Sequence, residues 1–469
     1  MNSERIDRYK FLTKSASEYA ERWRYYYQEL AILLSSIIPP DSSIVQLGSG
    51  IGNVLAAIPG KKKMGIELNT ELLAQARTEH SGISWVEDEY WNLRQEDSFD
   101  YVLISEITDT LDDVEVVLRQ ARRLIVADGR LVIATRSVLW KPLFRLAHFL
   151  SPRITRSTFP SLLSQQDLAN LLYLAGFEVV RTGRGIPIPL RIPFLSPLLN
   201  RMLPGLPLFS YLGVIQYIVA RPLPEKRPDC SVSVIIAARN EYGNIEKLLE
   251  RIPNFSSALE IIFVEGNSSD GTWEEIQRVA QDSGSGRNII AVQQEGRGKW
   301  NAVEKGFSVA TGELLMILDA DMTVLPEDLP RFYTAFLEGR GEFINGSRLI
   351  YPMDRSAMRF LNKLGNLFFA TLISAIVKLK LTDTLCGTKV VRRSDWIRIK
   401  ALRDRFQMRD PFGDFELLFG AAWLNLRVVD LPVRYRERKY GTTQISRFKD
   451  GWRLLLLCAN AWFHFRFVK

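Results

Sequence analysis

The chain alternates short apolar runs with longer segments in which apolar residues recur every three or four positions. The short runs predict β-strands and the periodic segments predict amphipathic helices. In the first half, the strand-like runs are Ile44–Leu47, Met64–Ile66, Ile83–Val86, Tyr101–Ile104 and Leu131–Ala134. In the second half, they are Val232–Ala237, Ile261–Val264 and Leu314–Leu318. Strands separated by helices favour parallel sheets covered by helices, so the pattern predicts an α/β fold in both halves.

The two halves are separated by the segment Arg221–Asp229, which holds three prolines and five charged residues without a periodic apolar pattern. Such a composition is typical of a domain boundary. We therefore predict two domains, residues 1–224 and 225–469. The longest uncharged run, Met202–Ala220, is interrupted by proline and glycine, and its tail, Tyr211–Ala220, predicts a buried strand. No transmembrane segment or signal peptide is predicted.

Composition narrows the class only a little. The 469 residues are 46% hydrophobic and 24% charged, as in ordinary globular proteins, and the net charge is +8. A basic balance favours anionic partners such as nucleotide phosphates or lipid headgroups, or reflects a solvated surface without a specific partner. The basic residues are dispersed without a stacking-aromatic motif, so no nucleic acid is expected. The three cysteines show no paired spacing, which fits a reducing, cytoplasmic compartment.

The third strand-like run of the second half ends at Asp319-Ala320-Asp321. Residues two apart in an extended chain face the same way, so both carboxylates could meet one hard divalent cation. A cation at the carboxyl ends of parallel strands is placed to bind a nucleotide diphosphate. The pattern indicates transfer chemistry on an activated nucleotide compound.

Ordered motifs in the second half carry a family resemblance. They are AARNE at Ala237–Glu241, EGNSSDGT at Glu265–Thr272, GRGKWNA at Gly296–Ala302, Asp319-Ala320-Asp321, NGSR at Asn345–Arg348, DTLCGTK at Asp383–Lys389 and RKYGTTQI at Arg438–Ile445. From about Cys230 onward the chain resembles family 2 glycosyltransferases with a GT-A fold, in particular the dolichyl-phosphate and polyprenyl-phosphate sugar transferases.

That resemblance implies a nucleotide-sugar donor and assigns its binding residues. They are Ala237, Arg239, Glu241, Glu265, Lys299 and Asp319. It further implies that Asp319 and Asp321 hold Mg²⁺ or Mn²⁺, while Arg297 and Lys299 lie in a glycine-flanked loop near the diphosphate. Asp270 is expected to cap a helix that starts at Thr272.

Two kinds of acceptor stay open. A hydroxyl acceptor needs a general base, for which Asp414 and Glu416 are the candidates by position. A lipid phosphate is already ionised and would instead be bound by cations, with Arg438 the catalytic candidate among them. The other candidate cations are Arg348, Lys389, Arg393 and Arg436. Thr443-Gln444 departs from the Ser-Lys that is usual in the family, which weakens the case for phosphate.

In the first half, a strand runs into Gly48-Ser49-Gly50-Ile51-Gly52, and the next strand ends on Glu67. The succession of motifs resembles a class I S-adenosylmethionine-dependent methyltransferase with a Rossmann-like fold. The resemblance implies that Gly48, Gly50 and Gly52 cradle the methionine part, that Glu67 holds the ribose and that Asp88 lies near the adenine. Ser105 and Glu106 would stand at the mouth of the pocket. Gln46 occupies a position where the family usually has an acid, and a binding-only or structural domain is the alternative.

Three apolar segments with basic residues bear on location: Leu139–Leu150, Leu364–Val377 and Trp452–Phe467. Each could face a membrane interface or could pack on its own sheet. The expected protein is a bifunctional, cytoplasmic enzyme at the inner face of the membrane, a metal-dependent glycosyltransferase with a lipid-phosphate or glycan acceptor and a fused methyltransferase. The alternative is a catalytically inactive nucleotide- or cofactor-binding assembly protein.

Overall fold

The computed structural model describes residues 16–108, 110–143, 162–206, 209–281, 286–353, 360–406, 410, 412–438, 440 and 447–467. The chain divides into two compact units. Unit 1 comprises Met1–Leu223 with Arg466–Lys469, and unit 2 comprises Pro224–Phe465. Whether residues 1–224 and 225–469 fold independently stays a prediction.

Unit 1 is built on a seven-stranded sheet in the order β3-β2-β1-β4-β5-β7-β6. Strands β1 to β5 are parallel, whereas β7 is antiparallel to both of its neighbours. The strands are β1 Ser43–Leu47, β2 Lys62–Glu67, β3 Ser84–Glu87, β4 Phe99–Ser105, β5 Ile125–Arg136, β6 Phe177–Gly185 and β7 Ile215–Pro222.

Helices cover both faces of this sheet, because side chains of a strand alternate between its faces. Val45 and Leu47 join the core on one face, and Ile44 joins the core on the other. The helices are α1 Ala16–Arg22, α2 Arg24–Ser35, α3 Asn53–Ala57, α4 Thr70–Glu79, α5 Val114–Arg123, α6 Gln165–Leu174 and α7 Leu195–Met202. Helices α2 and α3 pack on the Ile44 face, and α5 and α6 pack on the opposite face.

Unit 2 is built on a second seven-stranded sheet, in the order β10-β9-β8-β11-β13-β12-β14. Strands β10, β9, β8 and β11 are parallel, and β13 runs antiparallel to β11 and β12. The strands are β8 Val232–Ala238, β9 Leu259–Glu265, β10 Asn288–Gln293, β11 Leu314–Asp319, β12 Phe343–Ser347, β13 Lys389–Arg392 and β14 Val428–Pro432.

Two cores flank the second sheet, one containing Ile235 and the other containing Val234 and Ile236. The helices are α8 Ile245–Arg251, α9 Thr272–Gln281, α10 Lys299–Val309, α11 Leu329–Leu337, α12 Phe360–Val377, α13 Arg393–Phe406, α14 Asp414–Trp423 and α15 Arg447–Phe467. Helices α8, α9 and α11 pack on one face, and α10 and α12–α15 pack on the other.

The predicted class, two α/β domains with parallel strands, is confirmed, and the strand-like runs lie in strands except at Ile83, which precedes β3, and at the start of Tyr211–Ala220. The interpretation of Tyr211–Ala220 as one strand is wrong at its start. Phe209–Leu212 is a 3₁₀ turn with Tyr211 and Leu212 exposed, and the strand begins at Ile215. Strand β7 is buried along its whole length, whereas Tyr211 and Leu212 are exposed, so the chain enters the sheet only after Gly213.

The expectation of no transmembrane segment stays a prediction. Helix α12 is long and apolar enough to cross a membrane, by length and composition alone. Its buried face includes Asn366, whose side-chain amide donates to Asp383 Oδ1 at 2.7 Å. A polar anchor to the sheet is unusual for a lipid-surrounded helix. Residues 144–150 and 443–444, on which two of the sequence interpretations fall, lie outside the described residues.

Candidate active sites at two sheet edges

In unit 2, three neighbouring strands end at one edge of the sheet. Asp319 ends β11 and is paired with Ala237 of β8, and the next residue of β8 is paired with Glu265, which ends β9. The strand order reverses between β8 and β11, and in open α/β sheets such a switch point forms the ligand-binding crevice. The predicted donor-binding residues Ala237, Glu265 and Asp319 thus share one edge.

Asp319 forms an ion pair with Lys299, whose Nζ lies 2.5 Å from Oδ1. The prediction that Lys299 lies in a loop is wrong, since it is the first residue of α10 and Gly298 is its N-cap. Burial opposes both charges, but the pairing outweighs burial. The pKa of Asp319 is therefore lowered, and the pKa of Lys299 is raised by Asp319 and then by Asp414.

Gly387 makes this ion pair possible. A Cβ on Gly387 would overlap both Asp319 Oδ2 and Lys299 Nζ. The glycine belongs to the DTLCGTK motif, but sequence reasoning assigned it no role. Its requirement is steric, because the backbone approaches two charged side chains closely.

Asp321 follows β11 in a turn and is held through both carboxylate oxygens. Oδ1 accepts hydrogen bonds from the Thr323 amide at 3.1 Å and the Thr323 hydroxyl at 2.8 Å, while Oδ2 accepts from the Arg438 guanidinium. Arg438 also lies 3.5 Å from Glu241 Oε1. Arg438 therefore joins the β8 loop to the β11 turn, which brings three predicted site residues together.

Glu241, at the start of the loop that follows β8, is buried. Burial raises its pKa to about 7, against the lowering effects of Asn244 and Arg438. Asn244 donates to Glu241 Oε2 at 2.6 Å. Such a carboxyl group can exchange a proton near neutral pH or accept hydrogen bonds from a sugar hydroxyl.

Glu265 is also buried, and its oxygens accept from the Ser268 amide at 2.5 Å and the Gln293 amide at 3.1 Å. Arg239, by contrast, is exposed. The loops after β8 and β9 are joined by Asn240, which accepts from the Ser269 amide at 2.9 Å and donates its own amide to Ser268 at 3.0 Å. These contacts fix the floor of the crevice.

Asp270 accepts from the Thr272 amide at 3.1 Å at the first residue of α9, as the capping prediction requires. It also accepts from the Tyr242 amide at 3.3 Å. The same carboxylate therefore ties the start of α9 to the loop after β8.

The two candidate bases, Asp414 and Glu416, do not converge. Residues two apart on a helix point in different directions. Asp414 lies 2.9 Å from Lys389 Nζ, whereas Glu416 lies 3.8 Å from Arg403. Neither oxygen of Glu416 has a hydrogen-bond partner among the described residues, and burial raises its pKa to about 8.

The candidate phosphate-binding cations are also separated. Arg348 makes a bidentate pair with Asp383, at 2.7 and 2.9 Å, and this pairing lowers the pKa of buried Asp383 to about 2. Lys389 is fully buried against Asp414. Arg393 follows Arg392, which pairs with Leu314 at the start of β11. Arg393 therefore lies at the opposite edge of the sheet from Asp319, and its predicted role at the site is wrong.

Asp319 and Asp321 could bind a divalent cation only together with further ligands. Asp321 is bonded through both oxygens, and the described residues contain no group of three or more His, Cys, Asp or Glu side chains that could hold a metal. Mg²⁺ commonly takes one or two carboxylates plus substrate phosphates. Asp319 and Asp321 could therefore supply the two carboxylates for a cation bound together with a diphosphate.

In unit 1, the loop after β1 lies at the corresponding switch point, between β1 and β4. Gly48, Gly50 and Gly52 all have positive φ, at 70°, 55° and 83°. A Cβ on Gly48 would overlap Ile107, and a Cβ on Gly52 would overlap Trp85. Beside Gly50 there is open space. Of the three predicted cradle glycines, Gly50 is thus the one with room for a ligand.

The acids predicted to bind the ribose and the adenine, Glu67 and Asp88, accept hydrogen bonds from backbone amides in this structure. Glu67 is fully buried and accepts from the Gly50 and Asn69 amides, each at 2.8 Å. Asp88 accepts from the Glu89 amide at 2.9 Å and the Arg94 amide at 2.7 Å. A carboxylate oxygen can accept a second hydrogen bond, so these contacts leave capacity for hydroxyl groups.

The mouth of this site is formed by the end of β4. Glu106, at φ 59°, accepts a hydrogen bond from the Tyr26 hydroxyl at 2.6 Å. Two buried polar atoms nearby in sequence, Gln46 Oε1 and Ser49 Oγ, have no hydrogen-bond partner among the described residues. Unsatisfied groups beside an open glycine fit a small polar ligand such as S-adenosylmethionine.

Two protein-family models match this chain, one in each half. Residues 233–399 match the model of glycosyl transferase family 2, and residues 19–182 match a methyltransferase domain model. The chain therefore combines two transferase domains, a methyltransferase-type domain followed by a family 2 glycosyltransferase domain.

Three similar curated proteins have the names of transferases. The undecaprenyl-phosphate 4-deoxy-4-formamido-L-arabinose transferase of Enterobacter sp. is 35% identical over 222 residues, covering 46% of this chain and 62% of the relative. The dolichol-phosphate mannosyltransferase of Pyrococcus furiosus is 36% identical over 121 residues, covering 25% and 33%. Glycosyltransferase AglD of Haloferax volcanii is 27% identical over 237 residues, covering 49% and 36%. The chain spans about a third to two thirds of the length of these relatives.

Among solved structures, a SAM-dependent methyltransferase of Thermotoga maritima is 18% identical and covers 46% of this chain and 99% of its own, with a TM-score of 0.36.

Proposed function

We propose that the second domain transfers a sugar from a nucleoside diphosphate sugar to a polyprenyl-phosphate or related lipid-linked acceptor. The observation that supports this most is the charged cluster at the β8–β11 switch point, where Asp319, Asp321, Lys299 and Arg438 meet. The names of the relatives point to the same acceptor class. The first domain would bind S-adenosylmethionine as a second transferase in the same chain.

In this proposal, Glu241 and Glu265 accept hydrogen bonds from the nucleoside, and Lys299 contacts the diphosphate. A divalent cation, when bound with the donor, would neutralise charge that develops on the departing nucleoside diphosphate. Arg438, released from Asp321, would then reach phosphate oxygens, for which its planar group is suited. Lys299 stays charged throughout because its carboxylate neighbours raise its pKa.

The surroundings of the two candidate bases support a phosphate acceptor over a hydroxyl acceptor. Asp414 is neutralised by buried Lys389, and Glu416 faces Arg403. Neither is therefore placed as a base for a hydroxyl at Asp319. A phosphate acceptor is already ionised and needs none.

The first test is a donor screen. Incubation with UDP-, GDP- and dTDP-sugars and a polyprenyl phosphate should release one nucleotide and form a glycolipid, and chelator should stop the reaction. Turnover that is unchanged in chelator would refute metal dependence, and no release with any donor would favour the inactive assembly protein.

Three variants then distinguish the two kinds of acceptor. Arg438→Ala should lose most activity, while Asp414→Asn and Glu416→Gln should each retain turnover with the lipid phosphate. If the carboxylate variants are inactive and Arg438→Ala is active, the acceptor is a hydroxyl and the phosphate proposal fails.

The methyltransferase-type domain is tested by calorimetry with S-adenosylhomocysteine. Wild type should bind, and Gly50→Trp should not, because the indole would occupy the open space at Gly50. Gly82→Trp is the matched control, since Gly82 also has positive φ and open space but lies in the turn before β3. Absence of binding by wild type would leave a structural domain.

For location, we propose peripheral attachment at the cytoplasmic face of the membrane. Helix α12 exposes Phe360, Leu361, Leu364 and Phe368 on one side and is anchored on the other by Asn366. An apolar face with a polar anchor beneath suits a helix that lies in the interface. Release from membranes by carbonate would support this, and resistance to carbonate would indicate a spanning helix.

A further inference from the structure

We propose that the segment formed by residues 188–206 and 209–212 of unit 1 is a membrane-docking surface that seats this unit on an anionic lipid bilayer. The proposal concerns a part of the chain distant in sequence from α12, and it does not depend on glycosyl transfer. Three observations carry it: the charge of the segment, the orientation of α7 and the exposure of large apolar side chains.

The charged residues of this segment are all positive. Between Ile188 and Leu212 the chain has two arginines, Arg191 and Arg201, and no aspartate or glutamate. Over a stretch of this length, soluble surfaces normally mix both signs. A basic, acid-free segment is instead complementary to anionic headgroups.

Helix α7 is amphipathic with its polar side turned inward. Ser196 and Asn200, one turn apart, are buried, while Leu195, Leu198 and Met202 are exposed. A helix on the surface of a soluble protein has the opposite arrangement. The orientation follows from hydrogen bonds rather than from apolar packing.

Those hydrogen bonds tie the helix to the preceding loop. The Asn200 amide accepts from the Ile188 backbone N–H at 2.8 Å and donates to the Ile188 carbonyl at 2.9 Å. The Ser196 hydroxyl accepts from the Ile192 N–H at 2.9 Å and donates to the Leu190 carbonyl at 2.7 Å. With its polar groups satisfied from inside, the segment presents an outer surface of leucine, isoleucine, phenylalanine and methionine.

The exposed apolar side chains are large and lie close to one another in the sequence. They are Leu190, Ile192, Phe194, Leu195, Leu198, Met202, Leu206, Phe209, Tyr211 and Leu212, between 38% and 93% exposed. Phe194 is the most exposed and has φ 61°, a conformation that phenylalanine rarely adopts. Patches of this kind mark interaction sites.

The occupant is a lipid surface rather than a second copy of the chain. Two copies meeting through this surface would bring their acid-free, arginine-bearing segments together, and exposed Arg191 would face like charge. Leucine, phenylalanine and arginine are the side chains that interfacial segments use, with the apolar groups inserted and the bases at the headgroups.

The test places a fluorophore at the tip of the segment in the full chain. The three native cysteines are buried, so Phe194→Cys can be labelled selectively with an environment-sensitive dye. Vesicles of phosphatidylcholine and phosphatidylglycerol should raise the emission about twofold or more and shift it to the blue. Ala74→Cys, exposed on α4, is the matched control and should not respond.

A second variant tests the energetics. Leu195→Ser, Leu198→Ser and Met202→Ser together should lower the vesicle-bound fraction about tenfold or more without unfolding, since all three side chains are exposed. The proposal is overturned if the dye at position 194 does not respond, or if the dye at position 74 responds equally. It is also overturned if the response appears without lipid and tracks dimer formation in size-exclusion chromatography.

Discussion

Both sheet edges carry carboxylates at the carboxyl ends of parallel strands, but Glu67 in unit 1 and Asp319 in unit 2 are held by different means. In unit 1, Glu67 at the end of β2 is bonded to two backbone amides and is fully buried. In unit 2, Asp319 at the end of β11 is bonded to a lysine side chain, and Asp321 is held partly by an arginine. A backbone partner cannot leave without unfolding its loop, whereas a side-chain partner can rotate away toward a substrate.

This difference assigns different roles to acids that look alike in the sequence. A backbone-bonded carboxylate contributes to the stability of the loop that it shapes, and its loss should appear in unfolding measurements. A carboxylate neutralised by mobile cations is available for exchange, so its loss should appear in activity. Variants of both kinds of carboxylate test this difference between stability and activity.

Asp319→Asn should lower the rate of sugar transfer by about 10²–10³-fold, because it removes a carboxylate that would hold the cation bound with the donor diphosphate. The free energy of unfolding should change by less than about 1 kcal/mol, since the amide keeps the shape and can still accept a bond from Lys299. Steady-state kinetics and urea unfolding measure the two quantities. A large loss of stability with normal turnover would place Asp319 with the structural acids.

Gly387→Ala should lower transfer by up to about 10²-fold, because the added methyl group displaces both Asp319 and Lys299. The protein should remain folded, since the steric conflict involves side-chain ends that can move. Gly365→Ala on α12 is the control, because a Cβ there meets nothing within 4 Å. Equal activity of the two variants would show that the ion pair is not required.

Glu67→Gln should lower the free energy of unfolding of unit 1 by about 1–3 kcal/mol, because one of its two backbone amides loses an acceptor. Glu87→Gln is the matched control: Glu87 is paired with Glu67 in the β2–β3 register but is exposed. Denaturant unfolding of the full chain, followed by hydrogen exchange of the Gly50 amide, measures the loss. An unfolding curve like that of the control would contradict the proposed division.

Glu416 is a third kind of buried carboxyl group, with an arginine 3.8 Å away but no hydrogen-bond partner among the described residues. Burial raises its pKa to about 8, above the unfolded value, so it favours folding while protonated. We expect the stability of wild type to fall as the pH rises from about 4.5 to about 8, and Glu416→Gln to remove roughly 1–3 kcal/mol of that fall. Unfolding at several pH values gives the slope, and parallel pH profiles for the two proteins would show that Glu416 ionises normally.

Much of the architecture follows from local sequence. The apolar runs around Val234 and Val45 are uninterrupted, as is typical of strands buried on both faces, and the loops that follow them lie at the carboxyl edge as parallel strands require. The edge shared by Ala237, Glu265 and Asp319 was therefore predictable.

What could not be predicted depends on contacts between distant segments. Lys299 looks like a loop cation until α10 is seen to begin there, and Asp414 looks like a base until Lys389 is found beside it. Gly387 has no recognisable role until two charged side chains from other segments reach it. The inward-facing Asn200 of α7 escapes periodicity analysis, because the helix reverses the usual relation between polarity and exposure.

Gly413 and Trp300 have a consequence for protein engineering. Gly413 precedes α14 at φ 79°, and a Cβ there would overlap the Trp300 indole. The neighbours of this pair in sequence are Asp414 and Lys299, the first residues of α14 and α10. One close contact thus fixes the origin of two helices that deliver charged groups. Libraries that seek a new donor sugar should leave this contact intact and vary the exposed loop residues, such as Arg239, instead.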